Sequence, residues 1–539
     1  MYRKQSVWVM AIIAVFIIQA CGKSSSSDTG STAQTAALSV MVTDAPGNFD
    51  HVYITVKKVA LHLKEEAEPG QNAGEWVGAV LNPPVTIDLL NLGSGSNLQT
   101  LLENVSLPAG AYKQIRLFLA PTYAANPPAG HLYYNEVFTA GSTTAAPLRV
   151  PDVDDGIQLL GAFTLTGGST LRLAIDFDAN DDVVDFNNGQ EYILKPRLAY
   201  FDLDNAGAIV GQIRTSGTFT QAPRFVIKAE KLNPDGTYHV VHRSAAPDAS
   251  GRFILYPVSA ATATVSYDIL VRGIGYQTTI IKNVPVNRET TPASNPTAIP
   301  MITMVAGTDY SASASIGSPT GAWVNFYQTL PGPGEAPYEI RFKHFHPITA
   351  SFTGYRLSNS PLQVGTYNAS AISTSAVAAV EGAGGYQVVA DAILYDQGAF
   401  PGSATPNITA SAPTVTFGSL GVSSPFTAHS VAGSIDMSSL SSVMMSQMSK
   451  GYVFAVHGGM IVNAKDVGAT MTAGGGSYTL TNLPGGTTAN PHPRAFYRVE
   501  AVGWSPSHPL SVRAMAVPPG LADLRKGDAT GITLNMTGF

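Results

Sequence analysis

Eleven carboxylates are concentrated between Asp152 and Asp204, a segment that holds only three basic residues. Its formal charge of −8 exceeds in magnitude the −6 of the whole chain. Several carboxylate oxygens close together are the ligands that Ca²⁺ prefers. A pair of carboxylates can also act as acid and base in the hydrolysis of a sugar or peptide. The segment therefore suggests a cation site, a hydrolytic site or a solvated acidic surface.

The calcium interpretation rests on the run from Asp176 to Asn180, whose oxygen-bearing residues have the first spacings of a calcium loop. The pattern then departs, because Asp181 replaces the expected glycine and Asn187 stands where a bidentate glutamate is required. An EF-hand is excluded, but a site of another geometry at the end of a strand stays open. Its candidate ligands are Asp44, Asp50, Asp176, Asp178, Asn180 and Asp182.

The solvated-surface interpretation rests on strand alternation. Apolar residues occupy the odd positions from Leu171 to Phe177, so Asp176 and Asp178 fall together on the opposite face. We expect water to cover that face. Elsewhere, His344 and His346 share one face of a predicted strand, but no third zinc ligand is visible nearby. We interpret them as histidines that end a strand.

Composition excludes several functional classes. The chain has no basic tract, which argues against nucleic-acid binding. Cys21 is the only cysteine, so the folded body contains no disulfide and no Cys-x-x-Cys-His motif for haem attachment. Charged residues make up 13% of the chain, about half the usual share. No nucleophile elbow or phosphate-binding loop occurs, so we predict no enzyme and no bound cofactor unless Ca²⁺.

The elements that must position these residues are short alternating strands separated by Pro- and Gly-rich turns, which predict an all-β chain of tandem antiparallel β-sandwiches. In residues 52–63 the apolar residues change from even to odd positions after Lys57 and Lys58. This slip predicts a β-bulge. Only residues 98–103 suggest a helical turn.

The N-terminus resembles that of a bacterial lipoprotein. Basic Arg3 and Lys4 precede an apolar run, and residues 18–21 (IQAC) resemble a lipobox. This implies a signal peptide over 1–20, acylation (palmitate) of Cys21 as the lipid anchor, and a flexible Ser/Thr/Gly tether over 21–36. Because Gly22 rather than Asp follows the cysteine, the resemblance implies the outer membrane, on its periplasmic or its surface-exposed side.

Residues 37–204, called domain 1 below, resemble the bacterial domain-of-unknown-function family 4382. The resemblance is carried by VTDAPG at 42–47, VYITVKKV at 52–59, LPAGAYKQIRL at 107–117, IDFDA at 175–179 and YILKP at 192–196. It implies an exported lipoprotein domain and brings no catalytic residues.

Residues 205–304 (domain 2) resemble a carboxypeptidase regulatory-like, transthyretin-type β-sandwich. The motifs are GAIVGQI at 207–213, GRFIL at 251–255, YDILV at 267–271, GIGY at 273–276 and IPMIT at 299–303. Residues 429–539 (domain 4) repeat them as VAGSI, GSYTL, AVGW and GITL. Residues 305–428 (domain 3) are a further β-sandwich of unassigned family.

Together these features predict a membrane-anchored, non-enzymatic envelope lipoprotein that binds or scaffolds. Its partners would be membrane lipid through Cys21, and envelope or extracellular proteins or polysaccharide. Two alternatives stay open: a calcium-stiffened structural stalk, and an envelope sugar or peptide hydrolase that uses the carboxylates between Asp152 and Asp204.

Overall fold

The computed structural model describes residues 14–17, 34–45, 49–67, 76–93, 97–220, 224–260, 265–288, 294–395, 407–422 and 424–538. Cys21 and most of the predicted tether lie outside these ranges. The described chain is almost entirely β, which confirms the predicted fold class. None of its described helices is long and apolar enough to cross a bilayer.

Domain 1 consists of two packed sheets. Its strands are β2 (Thr35–Ala45), β3 (Phe49–His62), β4 (Val77–Asp88), β5 (Gln99–Pro108), β6 (Gly110–Leu119), β7 (Glu136–Thr139), β8 (Ala146–Arg149), β9 (Ile157–Leu165), β10 (Thr170–Asp178), β11 (Val183–Asp185), β12 (Tyr192–Leu194) and β13 (Ala199–Asp202). Helix α1 (Ala179–Asp182) follows β10, and 3-10 turns span Leu89–Leu92 and Leu203–Asn205. A short strand, β1 (Ala14–Ile17), lies in the predicted signal peptide and pairs with β4.

One sheet has the order β13-β10-β2-β5, and the other runs from β1 through β4, β3, β7, β8 and β12 to β11, with β6 and β9 branching from β3. Apolar side chains from both sheets form the core between them. The bulge predicted in β3 is confirmed, because the pairing with both β4 and β6 shifts between Val56 and Lys58. The slip keeps Val56 and Val59 on the buried side.

Domain 2 contains β14 (Ala206–Arg214), β15 (Val226–Leu232), β16 (His239–Ala245), β17 (Arg252–Ser259), β18 (Val265–Arg272), β19 (Thr279–Val286), β20 (Thr297–Ala298) and β21 (Ile302–Thr303). Domain 3 contains β22 (Asp309–Ser318), β23 (Trp323–Gln328), β24 (Tyr338–His344), β25 (Ser351–Ser358), β26 (Leu362–Thr366), β27 (Ser375–Val377), β28 (Tyr386–Asp391), β29 (Asn407–Ile408) and β30 (Thr414–Ser419). Strands β26 and β27 extend the β16-β15-β18-β19 sheet, so hydrogen bonding crosses the expected boundary after residue 304.

Domain 4 contains β31 (Thr427–Asp436), β32 (Lys450–His457), β33 (Met460–Asp466), β34 (Gly475–Gly485), β35 (Phe496–Ser505), β36 (His508–Ala516), β37 (Gly520–Asp523) and β38 (Ala529–Gly538), with short helices α2 (Ser442–Gln447) and α3 (Gly468–Thr472). Its apolar interior is continuous with that of domain 3. At the join, the Gly321 N–H donates to the Val462 carbonyl over 3.0 Å. A Cβ on Gly321 would lie 1.9 Å from the Ile461 carbonyl oxygen, so only glycine fits this approach.

The first strand of every domain pairs in parallel with a late strand of the same domain. The pairs are β2 with β10, β14 with β20 and β21, β22 with β30, and β31 with β38. Most other ladders are antiparallel. In domain 1 this pairing sets Phe177 opposite Asp44, and it therefore brings the acidic end of β10 beside the Asp44 turn.

Candidate functional site: the charged contacts between domains

Four of the predicted calcium ligands converge where β2 and β10 end. Asp176 and Asp178 lie on β10, Asp182 ends α1, and Asp44 sits on the adjacent strand β2. Asp44 and Asp182 are fully buried, and the side chain of Asp176 is 13% exposed. The expectation of a water-covered face is therefore wrong. Strand β16 of domain 2 covers it, and the sequence of β10 alone carries no sign of that contact.

Each of these carboxylates accepts hydrogen bonds from the protein. Asp44 Oδ1 accepts from the Ala179 N–H (2.9 Å), and Asp178 Oδ1 accepts from the Asp181 N–H (3.2 Å). Asp182 accepts from the backbone N–H groups of Asp178 (3.1 Å) and Arg197 (3.0 Å). The α1 helix and the chain after it therefore wrap around these carboxylates. Among the described residues, Oδ2 of Asp44 is the one buried carboxylate oxygen of this group that has no hydrogen-bond partner.

Arg243 from β16 supplies one cation to this group of four carboxylates. Its guanidinium is completely buried, pairs with Asp176, and donates to the Thr43 hydroxyl (3.0 Å) and the Asp44 carbonyl (2.9 Å). Its Nε donates to the Tyr256 carbonyl of its own domain (2.9 Å). One cation of domain 2 is therefore held by three groups of domain 1. Beside it, apolar residues of both domains pack around Ala174 and Tyr256.

Burial raises the pKa values of the acidic groups despite these contacts. It raises the pKa of Asp44 well above its ordinary value, against the opposing hydrogen bond from Ala179. Burial likewise raises the pKa of Asp182 to about 7, although the N–H groups of Arg197 and Asp178 oppose it. For Asp176, burial raises the pKa and Arg243 moderates the rise. These shifts arise from desolvation of the charged form.

The remaining predicted ligands do not complete a metal site. Asp50 accepts from the Gly141 N–H over 2.8 Å, at the start of β3. Asn180 donates to Asp181 over 2.8 Å and lines a different cleft. No group of three or more His, Cys, Asp or Glu side chains among the described residues is arranged to hold a metal ion. Cys21, the predicted acylation site, lies outside the described residues.

A second set of charges joins domain 1 to domain 4. Arg498 forms two hydrogen bonds of 2.6 Å with the carboxylate of Asp155. Glu500 accepts from Arg149 (2.7 Å) and from the Asp152 N–H (2.8 Å). A guanidinium that meets both oxygens of a carboxylate fixes orientation as well as distance. The acidic segment from Asp152 to Asp155 therefore docks domain 4.

The deepest contact of this interface is the ion pair of Glu191 with Arg513. Both side chains are at most 1% exposed. The Tyr123 hydroxyl donates to Glu191 over 2.7 Å, and the Arg513 cation lies 4.7 Å from the centre of the Tyr123 ring. Burial opposes the charge of Arg513, but Glu191 raises its pKa above the ordinary value. The Arg513 cation also lies 6.0 Å from the centre of the Trp504 ring. Trp504 belongs to an apolar cluster that domains 1 and 4 share, with Phe186, Ile193, Tyr452, Phe454, Val456, Ile461 and Val502.

Domain 3 also packs against domain 1. The Lys195 ammonium is fully buried and donates to the Phe345 carbonyl over 3.2 Å. Burial, together with the nearby Lys343, lowers the pKa of Lys195 to about 7. Arg197 stacks 4.0 Å from the centre of the Phe342 ring. His344 is buried near these cations and its pKa is lowered well below the ordinary value, mainly by burial.

These contacts make domain 1 the centre of the molecule, because domains 2, 3 and 4 all pack on it. Sequence reasoning identified the acidic segment but not its partners, since Arg243, Arg498 and Arg513 carry no local signal. The arrangement fixes four sandwiches relative to one another. It leaves Asp155, Asp176 and Asp182 bonded to arginines and backbone donors. Asp176, Asp178, Asp181 and Asp182 also line a small cleft of about 90 Å³.

Several solved structures align with parts or most of the chain at low identity. The Bacillus anthracis TIE protein aligns over 95% of this chain and 76% of its own at 8% identity, with a TM-score of 0.14. Two B repeat units of the Staphylococcus aureus collagen binding protein align over 94% and 99% at 9% identity, with a TM-score of 0.12. At TM-scores this low, these likenesses add nothing to the fold described above.

A cohesin–X-dockerin complex from Acetivibrio cellulolyticus aligns at 22% identity over 19% of this chain, with a TM-score of 0.13. This chain covers only 58% of that relative's length. No curated protein matches the chain. The regulatory-like resemblance of domains 2 and 4 stays a prediction. The resemblance of domain 1 is confirmed, because residues 35–196 match the family model described as Domain of unknown function (DUF4382).

Proposed function

We propose that the protein is a non-enzymatic envelope lipoprotein in which four β-sandwich domains act as one rigid binding or scaffolding unit. Acylated Cys21 holds this unit at the outer membrane, and the Ser/Thr/Gly tether sets it off from the lipid surface. Its partners are envelope or extracellular proteins or polysaccharide. Loops on a rigid framework are well suited to recognition, because little of their order must be created on binding.

The observation that carries the proposal is the packing of domain 4 onto domain 1 through the buried pair of Glu191 and Arg513, which are 322 residues apart in sequence. A buried ion pair stabilises only one well-defined geometry, because a small displacement leaves an uncompensated charge. Domains joined in this way cannot swing independently. A set of binding loops would thus keep fixed spacing.

The two alternatives receive less support. A spacer stalk would hold its ends apart, whereas here the last domain returns to the first. A glycoside hydrolase requires two carboxylates that face the substrate across about 5–9.5 Å. Of the acidic residues considered for that role, Asp155, Asp176 and Asp182 are bonded to Arg498, Arg243 and backbone N–H groups.

The test is in-cell crosslinking of the tagged full chain, followed by mass spectrometry of the captured molecules. Cys21→Ala is the matched control, since it removes only the predicted anchor. We expect the wild type in the membrane fraction with a small, reproducible set of envelope partners, and the variant in the soluble fraction. Turnover of an envelope glycan or peptide by the purified protein, abolished in Asp176→Asn, would overturn the proposal.

A further inference from the structure

A cleft with an unusual excess of positive charge lies where domains 2 and 3 meet α1 of domain 1. Its volume is about 420 Å³. Of the residues that the structure describes, five cationic side chains and no carboxylate line it; the cations are Arg224, Arg272, Arg341, Lys343 and Arg356. The size is within the range of small-molecule sites, roughly 300–1,000 Å³. The cleft is separate from the ion pairs described above.

Arg272, at the end of β18, is the most buried cation of this cleft. The residue is only 8% exposed, and its Nε is a buried donor with no hydrogen-bond partner among the described residues. Burying a guanidinium N–H without an acceptor is unfavourable, and proteins normally provide one. Burial and the neighbouring Arg341 lower the pKa of Arg272 to about 10. An incoming anion would relieve both penalties.

The neighbouring side chains are held in place rather than neutralised. The Arg341 Nε donates to the Tyr355 hydroxyl (3.0 Å), its Nη1 donates to the Arg356 carbonyl (2.5 Å), and its cation lies 4.4 Å from the centre of the Tyr355 ring. The Tyr355 hydroxyl in turn donates to the Phe342 carbonyl over 2.6 Å. The groups that orient Arg341 in these contacts are therefore neutral.

The acidic groups around the cleft leave most of this charge unbalanced. Asp309 lies 3.5 Å from Arg356 and also accepts from the Gly275 N–H over 2.9 Å. Asp181 and Asp178 act on Arg272 through space, and Asp181 and Asp185 act on Lys343. In the described part of the chain, no carboxylate forms an ion pair with Arg272, Arg341 or Lys343.

We infer that this cleft binds an oxyanion with at least two negative charges, carried by a phosphate, sulfate or carboxylate-bearing small molecule or by an acidic envelope glycan. Planar guanidinium groups match the oxygens of such anions and bind them in pairs. Arg272 comes from domain 2, and Arg341 and Lys343 come from domain 3. A bound anion would therefore bridge two domains. This inference does not depend on the membrane anchor or on a scaffolding role.

The experiment is calorimetric titration of the purified full chain at low ionic strength with inorganic pyrophosphate and, in a second arm, with an oligosaccharide of uronic acids. We expect saturable one-site binding of at least one of these probes, weakened by added NaCl because salt screens the charges. Binding of pyrophosphate alone would identify a site for small anions, and preference for the oligosaccharide would identify a glycan site.

The variants are Lys343→Gln, in which a half-buried cation is removed, and Arg272→Gln. Loss of a charge-assisted contact should weaken binding at least about tenfold in each. The matched control is Lys526→Gln. Lys526 lines another cleft that also contains Glu66, Asp523 and Asp528, so its charge is balanced. If Arg272→Gln fails to fold, as judged by circular dichroism, Lys343→Gln decides alone. Absence of saturable binding of both probes, or equal weakening by Lys526→Gln, would overturn the inference.

Discussion

Arg513 of domain 4 and Glu191 of domain 1 form an ion pair in which both side chains are buried. Between them the chain builds two other domains, and both of these also pack on domain 1. The pair therefore holds the last domain against the first. Asp155, Asp176 and Glu191 of the acidic segment are thus paired with Arg498, Arg243 and Arg513 of later domains, and an acidic sequence of this kind does not by itself indicate a metal site or an active site.

We predict that Arg513→Met destabilises the protein by about 3–5 kcal/mol, because Glu191 would remain buried without its cation. The double variant Arg513→Met/Glu191→Gln should recover part of that loss, since no isolated charge is left. The measurement is the shift of the denaturant midpoint. Arg525→Gln is the control, because Arg525 pairs with Asp523 in the same domain at an exposed position and should change stability by less than about 1 kcal/mol. Equal effects of Arg513→Met and the control would contradict the prediction.

Arg243→Met should likewise weaken the contact of domain 2 with domain 1, by about 3–5 kcal/mol. The substitution leaves Asp176 without its cation and the Thr43 hydroxyl and the Asp44 and Tyr256 carbonyls without their donor. Arg252→Gln, on the exposed side of β17, should change stability by no more than about 0.5 kcal/mol. Denaturant unfolding checks both, and an unperturbed Arg243→Met protein would show that the pair does not join the domains.

The buried Lys195 should make the stability of the protein depend on pH. Its pKa is about 7 in the folded protein against an ordinary value of 10.5. Between these values the unfolded chain holds a proton that the folded chain has released. Protein stability should therefore rise with pH through this window, by up to about 1.4 kcal/mol per pH unit. Below pH 7 the full penalty of burying the charge remains.

Lys195→Met removes this titration, so the difference in unfolding free energy between the variant and the wild type should shrink as pH rises from 7 towards 10.5. Taking the difference cancels the other groups that titrate in the same window. Denaturant unfolding at several pH values measures it. A difference that does not vary with pH would show that Lys195 keeps its ordinary pKa.

Calcium should have little effect on stability. Asp176, Asp178 and Asp182 already accept from Arg243, from Asp181 and from Arg197. The melting temperature should therefore be the same in EDTA and in millimolar calcium. A calcium-dependent rise that disappears in Asp178→Asn would contradict this and support a calcium site at the end of β10.

Features that depend on neighbouring residues in the sequence could be predicted from it. The alternation in β3 located its bulge at Lys57, because the pleat must keep Val56 and Val59 on the same side. The motifs of domain 1 identified its family. The helical turn expected at residues 98–103 is wrong, since pairing with β2 makes Gln99–Pro108 a strand. Tertiary pairing overrode the local preference.

The interdomain contacts could not be predicted in the same way. Alternation correctly set Asp176 on the face opposite Ile175, but it cannot say whether water or another domain covers that face. Arg243 lies 67 residues further along the chain, and nothing in its neighbours distinguishes it from an exposed arginine. The parallel addition of β26 to the domain 2 sheet is equally non-local.

The most direct test of the closed arrangement is small-angle X-ray scattering of the chain purified without its lipid anchor. A single body of about 500 residues should have a radius of gyration of about 23 Å, slightly increased by the tether. Four sandwiches arranged in an open row would have a distinctly larger radius. A wild-type protein with the same large radius and an elongated distance distribution would contradict the account.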